Sequence, residues 1–185
     1  MDMVVNSVAY TDGRRLAEVP IADISEVLAE PDRFVWLGLH EPDAPLLAQV
    51  QEEFGLHPLA VEDAHHGHER PKIEEYGDSI FAVLHTVESD GEELRIGEVD
   101  MFAGGNYVLT VRSRSEHGFT SVRERCEREP ELLKLGSGYV LYALMDAVVD
   151  RYFPVLDAIE TELEAIEERI FANTSPRANI EALYY

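Results

Sequence analysis

A change of hydrophobic period across Pro71 decides the fold class of this chain. It falls within GLHPLAVEDAHHGHERPKIEEYGDSIFAVLHT, the stretch from Gly55 to Thr86. Ahead of Pro71 the spacing predicts a short helix. Pro58, following His57, suits a first helical position, where the missing N–H would be unpaired anyway. Leu59 and Val61 are the apolar residues of this helix, Glu62 and Asp63 follow as an exposed acidic pair, and Gly67 and Pro71 oppose continuation. Beyond Pro71, Ile80, Ala82 and Leu84 alternate with Phe81, Val83 and His85, the period of a strand. A chain that switches period in this way has to cover a sheet with helices.

The flanking segments extend the pattern. Met3 to Tyr10 and Leu16 to Val19 read as a hairpin about Asp12-Gly13. Ile21 to Ala29 carries Ile24, Val27 and Leu28 at helical spacing and stops at Pro31. Phe34 to Leu39, FVWLGL, suits a strand buried on both faces, with Trp36 in the core. Asp43 to Phe54 lines Leu46, Leu47, Val50 and Phe54 along one helical face, and Gly55 is its cap. Ile73 to Val87, the turn SDGEE, Leu94 to Phe102, the turn Gly104-Gly105-Asn106 and Tyr107 to Val111 make a meander of antiparallel strands. Those glycines lack the lysine and following helix of a phosphate-binding loop. A helix from Phe119 to Glu129 points Val122 and Cys126 inward and ends at Pro130.

From about Gly138 to Phe171, Leu141, Leu144, Val148, Tyr152, Val155, Ile159, Leu163, Ile166 and Ile170 form one stripe of a long helix, which Pro154 should bend. Its other face is acidic. The expected fold is therefore α/β (α+β): a mixed β-sheet sandwiched between helices, followed by a long C-terminal helix. The expected division is an α/β/α unit over 1–136, the acidic helix over 137–175 and the start of another helix over 176–185.

Charge narrows the function. Against 15 basic residues stand 37 acidic ones, a net charge of −22, which repels nucleic acid and favours cations as partners, although acidic surfaces also serve solubility. A single cysteine, Cys126, excludes an internal disulfide and a cysteine-based zinc cluster and fits a reducing cytosol. The amino terminus has no secretory pattern. The most apolar stretch, VLYALMDAVV, is interrupted by Asp146 and falls short of the ~20 residues a spanning helix needs, so the chain as it stands is expected to be soluble.

HPLAVEDAHHGHERPKIEEYGDSIFAVL resembles the signature of the cytosolic N-terminal domain of the CorA family of divalent-cation channels, and YVLYALMDAVVDRYFPVLDAIETELEAIEERIF is similar to the long helix that follows it there. IEALYY, after Pro176, looks like the start of that family's next helix. The resemblance implies the cytoplasmic domain of an inner-membrane protein whose stalk, membrane helices and Gly-Met-Asn pore loop would lie beyond Tyr185. It implies a homopentamer in the full-length protein, attached to the membrane only through that later segment.

The same resemblance implies regulatory divalent-cation sites between subunits. Asp63 matches the domain acid of one, and Glu62 and Asp146 match acids of a second. The implied ion is magnesium, with cobalt or zinc as alternatives, and magnesium's preference for carboxylate and water oxygens suits such an interface. His57, His65, His66 and His68 crowd the same region, so a zinc transporter of the ZntB branch stays open. A structural adaptor is a further alternative. An enzyme is not expected: Glu62 and Asp63, adjacent on a helix, point about 100° apart and cannot face each other across a substrate, and no nucleophile elbow or nucleotide fingerprint occurs.

Overall fold

The computed structural model describes residues 3–90 and 93–171. β1 (Val4–Thr11) and β2 (Arg14–Glu18) form the expected hairpin, turning at Asp12 and Gly13, both with positive φ. Gly13 is required there twice over: its φ is +71°, and a Cβ would stand 2.0 Å from the Pro130 carbonyl oxygen. A 3-10 turn over Ile21–Asp23 leads into α1 (Ile24–Ala29), and β3 (Arg33–His40) follows, buried along its middle. α2 (Ala44–Phe54) opens on Asp43, whose carboxylate accepts the Leu46 N–H at 2.9 Å, and closes on left-handed Gly55. α3 (Pro58–His66) is capped by His57 and stopped at Gly67.

The run from Ile73 to Val87 is not one strand. β4 (Lys72–Tyr76) turns at Gly77, φ +62°, into β5 (Ser79–Asp90), and the two pair antiparallel from Tyr76 opposite Ser79 outward. Left-handed glycine makes the tight turn that the alternation alone concealed. β6 (Glu93–Ala103) and β7 (Tyr107–Ser113) complete the meander, with Gly91 and Glu92 of its first turn outside the described residues. At the second turn Asn106 donates its amide to the Leu28 carbonyl at 3.0 Å, a structural use of the Gly-Gly-Asn sequence. α4 (Thr120–Glu127), a single turn α5 (Pro130–Leu133), α6 (Ser137–Asp150) and α7 (Tyr152–Phe171) end the described chain.

The strands form a seven-stranded mixed sheet in the order β2-β1-β3-β7-β6-β5-β4, antiparallel except for the β3–β7 pair. Each face carries its own core. On one, Leu37, Leu39, Phe81, Val83, Leu109 and Val111 pack under α1, α2 and α3. On the other, Trp36, Ala82, Val99, Met101 and Val108 pack under α4, α5 and α6, where Cys126 is fully buried. The structure is thus a mixed sheet between helical layers. Burial corrects one detail of α3: Leu59 is 56% exposed, and Ala60, Val61 and Ala64 are its packed residues.

Helix runs through 137–171 as expected, and the bend at Pro154 takes the form of a break at Arg151. Pro154 has no N–H to offer the Asp150 carbonyl, so the hydrogen-bond ladder lapses there. Val140, Ala143, Leu144 and Val148 on α6 are buried. Past the break the stripe opens to solvent: Ile159, Leu163 and Ile170 are 42%, 50% and 45% exposed, and Ile166 alone of its later members is buried. The segment over 176–185 and the last residues of the 137–175 helix lie outside the described residues. Among the described residues no helix is long and apolar enough to cross a membrane.

Candidate cation site

The HHGHERP segment returns from α3 to the sheet edge and brings Lys72, first residue of β4, beneath the helix. Its ammonium Nζ lies 2.7 Å from Asp63 Oδ2, 3.2 Å from Glu74 Oε2 and 3.6 Å from Glu69 Oε2. Asp63 is therefore no freely exposed acid: its side chain is 25% exposed and ion-paired, whereas Glu62 beside it faces solvent. The Asp63 hydrogen bond, with Glu74 adding to it against desolvation, holds the Lys72 pKa above the ordinary lysine range. The ammonium also stands 5.8 Å from the Phe81 ring centroid.

Strand register extends the acidic region inward. Lys72 lies opposite Val83, and Val83 opposite Asp100, so all three project from the same sheet face, the one that α3 covers. Glu98 precedes Asp100 by one pleat and shares that face. Both acids are fully buried, and neither carboxylate has a hydrogen-bond partner among the described residues. Arg114 approaches Glu98 at 3.9 Å. Burial, then the nearby charges of Glu98, Asp63 and Glu69, push the Asp100 pKa up to about 8, against the opposing influence of Lys72.

Sequence reasoning overlooked Lys72, Glu98 and Asp100. The signal available was GEVDMF, where alternation puts Glu98 and Asp100 on the same side as Phe102; only knowing that helices cover that side makes two acids there notable.

The structure does not bring the expected acids together within one chain. Asp63 and Glu62 ride on α3 over one face of the sheet, while Asp146 rides on α6 over the other, with its carboxylate 3.3 Å from Arg125. The histidines also have local roles. His57 Nδ1 accepts the Leu59 N–H, and its ring stacks on Tyr76 at 4.2 Å. His66 Nδ1 bonds the Glu62 carbonyl oxygen at 2.9 Å, and His65 meets His66 edge to face. Among the described residues, no three His, Cys, Asp or Glu side chains converge in a ready-made metal cluster. What the site does have is hard carboxylate oxygens around a bound cationic group, a donor chemistry that fits a hard dication completed by ligands from a second surface.

Comparisons with known proteins bear on the family and the fold. The family model described as "CorA-like Mg2+ transporter protein" matches residues 31–184. YfjQ of Bacillus subtilis is 36% identical over 159 residues, covering 85% of this chain and 48% of that protein. The cobalt/magnesium transport protein CorA of Thermotoga maritima is 34% identical over 161 residues, covering 83% and 45%. The chain thus spans about half the length of these curated relatives. Its fold superposes on the solved cytoplasmic domain of ZntB from Vibrio parahaemolyticus with a TM-score of 0.60 at 12% identity, covering 90% of this chain and 66% of that one. At so low an identity the likeness shows the fold alone.

Proposed function

The chain belongs to the CorA-like Mg2+ transporter family, a family of transporters and not of enzymes, and on that premise we propose that it is the cytosolic ion-sensing domain of a divalent-cation channel subunit. Magnesium is the favoured ion and cobalt the next. The observation that carries the reading is the partly buried carboxylate of Asp63, paired at 2.7 Å with the Lys72 ammonium among further carboxylates, on the helix that carries the acidic pair of the resemblance. In the intact protein, identical subunits assemble as a homopentamer, and Asp63, supported by Glu62 and Asp146, meets acids of a neighbour. The α/β/α unit of residues 1–136 supplies Asp63 and Glu62, and the helices from residue 137 onward supply Asp146 and carry the ion's effect towards the membrane.

The switch is electrostatic. Carboxylates from two subunits ~4 Å apart repel by about 1 kcal/mol in water and about 4 kcal/mol near a protein surface. A dication between them reverses that sign and holds the closed assembly. Because a ligand shifts an equilibrium only by its differential affinity, the closed form is the one that binds the ion better, and scarcity of the ion loosens the interface.

A zinc-transporting reading draws on the imidazoles of His57, His65, His66 and His68 near Asp63. The likeness to the ZntB domain agrees with it at the level of the fold only. Protease protection of the membrane-embedded natural protein, titrated with magnesium and separately with zinc, decides between them. If the first reading holds, the magnesium midpoint is unmoved when His65, His66 and His68 are replaced by Ala, whereas the zinc reading requires that variant to lose protection by zinc. Asp63→Asn, which keeps the shape and removes the charge, raises the magnesium midpoint; an unchanged midpoint in a normally folded variant removes Asp63 from the sensor.

A further inference from the structure

We propose that Lys72 is a tethered competitor for the divalent cation at Asp63: its ammonium occupies the carboxylate oxygens when dications are scarce and is displaced when one binds. The proposal rests on the assignment of Asp63 as a cation ligand and adds a control element to that site. Three acids grip the ammonium at 2.7, 3.2 and 3.6 Å, two of them, Glu69 and Glu74, flanking Lys72 in the chain and the third reaching down from α3. An ammonium and a hard dication want the same oxygens and carry like charge, so Asp63 serves one at a time. The stem of Lys72 is flexible and its side chain is partly exposed, so the displaced ammonium can swing out into solvent.

A resident charge is also needed. Without a cation Asp63 of α3, Glu74 of β4 and Glu69 between them would face one another unscreened. Tethering supplies one at a high effective concentration, which a free monovalent ion in solution matches poorly but a dication, with twice the charge, can overcome. The apparent affinity for the dication is then lowered by the fraction of time Lys72 occupies the site. Lys72 in this way sets the concentration at which the sensor responds.

The test uses the natural protein in membranes, titrated with magnesium chloride at constant ionic strength and read by protease protection, with folding checked by thermal unfolding without magnesium. Lys72→Met should lower the magnesium midpoint by about five-fold, the worth of a partly exposed ion pair. Lys72→Arg keeps the charge and grips carboxylates more firmly, so it should raise the midpoint. An unchanged or higher midpoint in Lys72→Met, with Asp63→Asn still raising its own, overturns the competitor role and leaves the sensor assignment standing. No response in Asp63→Asn overturns both. Should Lys72→Met fail to fold, Lys72→Arg decides alone, and a midpoint at or below that of the natural protein refutes the proposal.

Discussion

Asp100→Asn should make this protein more stable at neutral pH and leave its stability unchanged in acid. Asp100 is fully buried on β6, neither of its carboxylate oxygens has a hydrogen-bond partner among the described residues, and its pKa is pushed from 3.8 to about 8 by burial first and the charge of Glu98 second. The folded state therefore prefers the neutral carboxyl. Well below pH 3.8 Asp100 is protonated in both states and costs nothing extra. As the pH rises, the unfolded chain ionises while the folded one holds its proton, so stability drains at about 1.4 kcal/mol per pH unit until the folded pKa is reached.

From 3.8 to pH 7 the loss amounts to about 4 kcal/mol, a large share of the roughly 5–15 kcal/mol that holds a domain folded. Asparagine has nearly the same shape and no such titration. Urea unfolding followed by the fluorescence of Trp36, the only tryptophan, would be run on both proteins from well below pH 3.8 to about pH 8. The two stabilities should coincide at the acid end and diverge to about 4 kcal/mol in favour of the variant at pH 7. Parallel curves across that range would refute the reasoning, because they would mean that Asp100 ionises as easily in the fold as out of it.

Glu88 has the opposite sign. Burial pushes its pKa up, but the Ser115 hydroxyl at 2.6 Å and the N–H groups of His117 and Glu116 at 3.0 and 3.1 Å outweigh that and hold it down at about 2. Its contribution is therefore complete above about pH 4.5 and lost as the pH falls through about 2, so Glu88→Gln should cost about 3 kcal/mol at pH 7 in chemical unfolding and almost nothing near pH 2. Gly97→Ala should destabilise by about 1–3 kcal/mol in the same measurement, since its Cβ would stand 2.6 Å from Thr86 Oγ1 and 2.7 Å from the Arg114 carbonyl oxygen. Leu144, fully buried on α6, should cost about 2–5 kcal/mol on truncation to Ala, seen as a lower midpoint of thermal unfolding.

Local chemistry made most elements legible from sequence. Pro58, Asp43 and Gly55 mark helix ends because each acts on backbone groups within a turn of itself, and alternation marks strands because the pleat has a period of two. Cys126 and Trp36 lie inward as their helical and strand spacings require. The residues of Gly55 to Leu84 carried the family resemblance, and with it the acid at Asp63. Where two local signals overlapped, reading failed: the alternation from Ile73 to Val87 passes straight through the turn at Gly77, so two antiparallel strands looked like one.

What remained belongs to pairing between distant segments, which no period encodes. The parallel contact of β3 with β7 joins the meander to the β2-β1-β3 half of the sheet, and two faces are buried only because helices arrive on both. That arrangement puts Glu62 and Asp146 on opposite sides of the sheet. It carries Glu98 and Asp100, two acids on an alternating strand, beneath α3 and out of water. It also leaves the later stripe of α7 exposed, since amphipathic spacing says that a face is apolar but not whether another surface meets it. The grip of Lys72 on Asp63 is of the same kind: the residues are close in sequence, but only the return of β4 under α3 sets an ammonium 2.7 Å from that carboxylate.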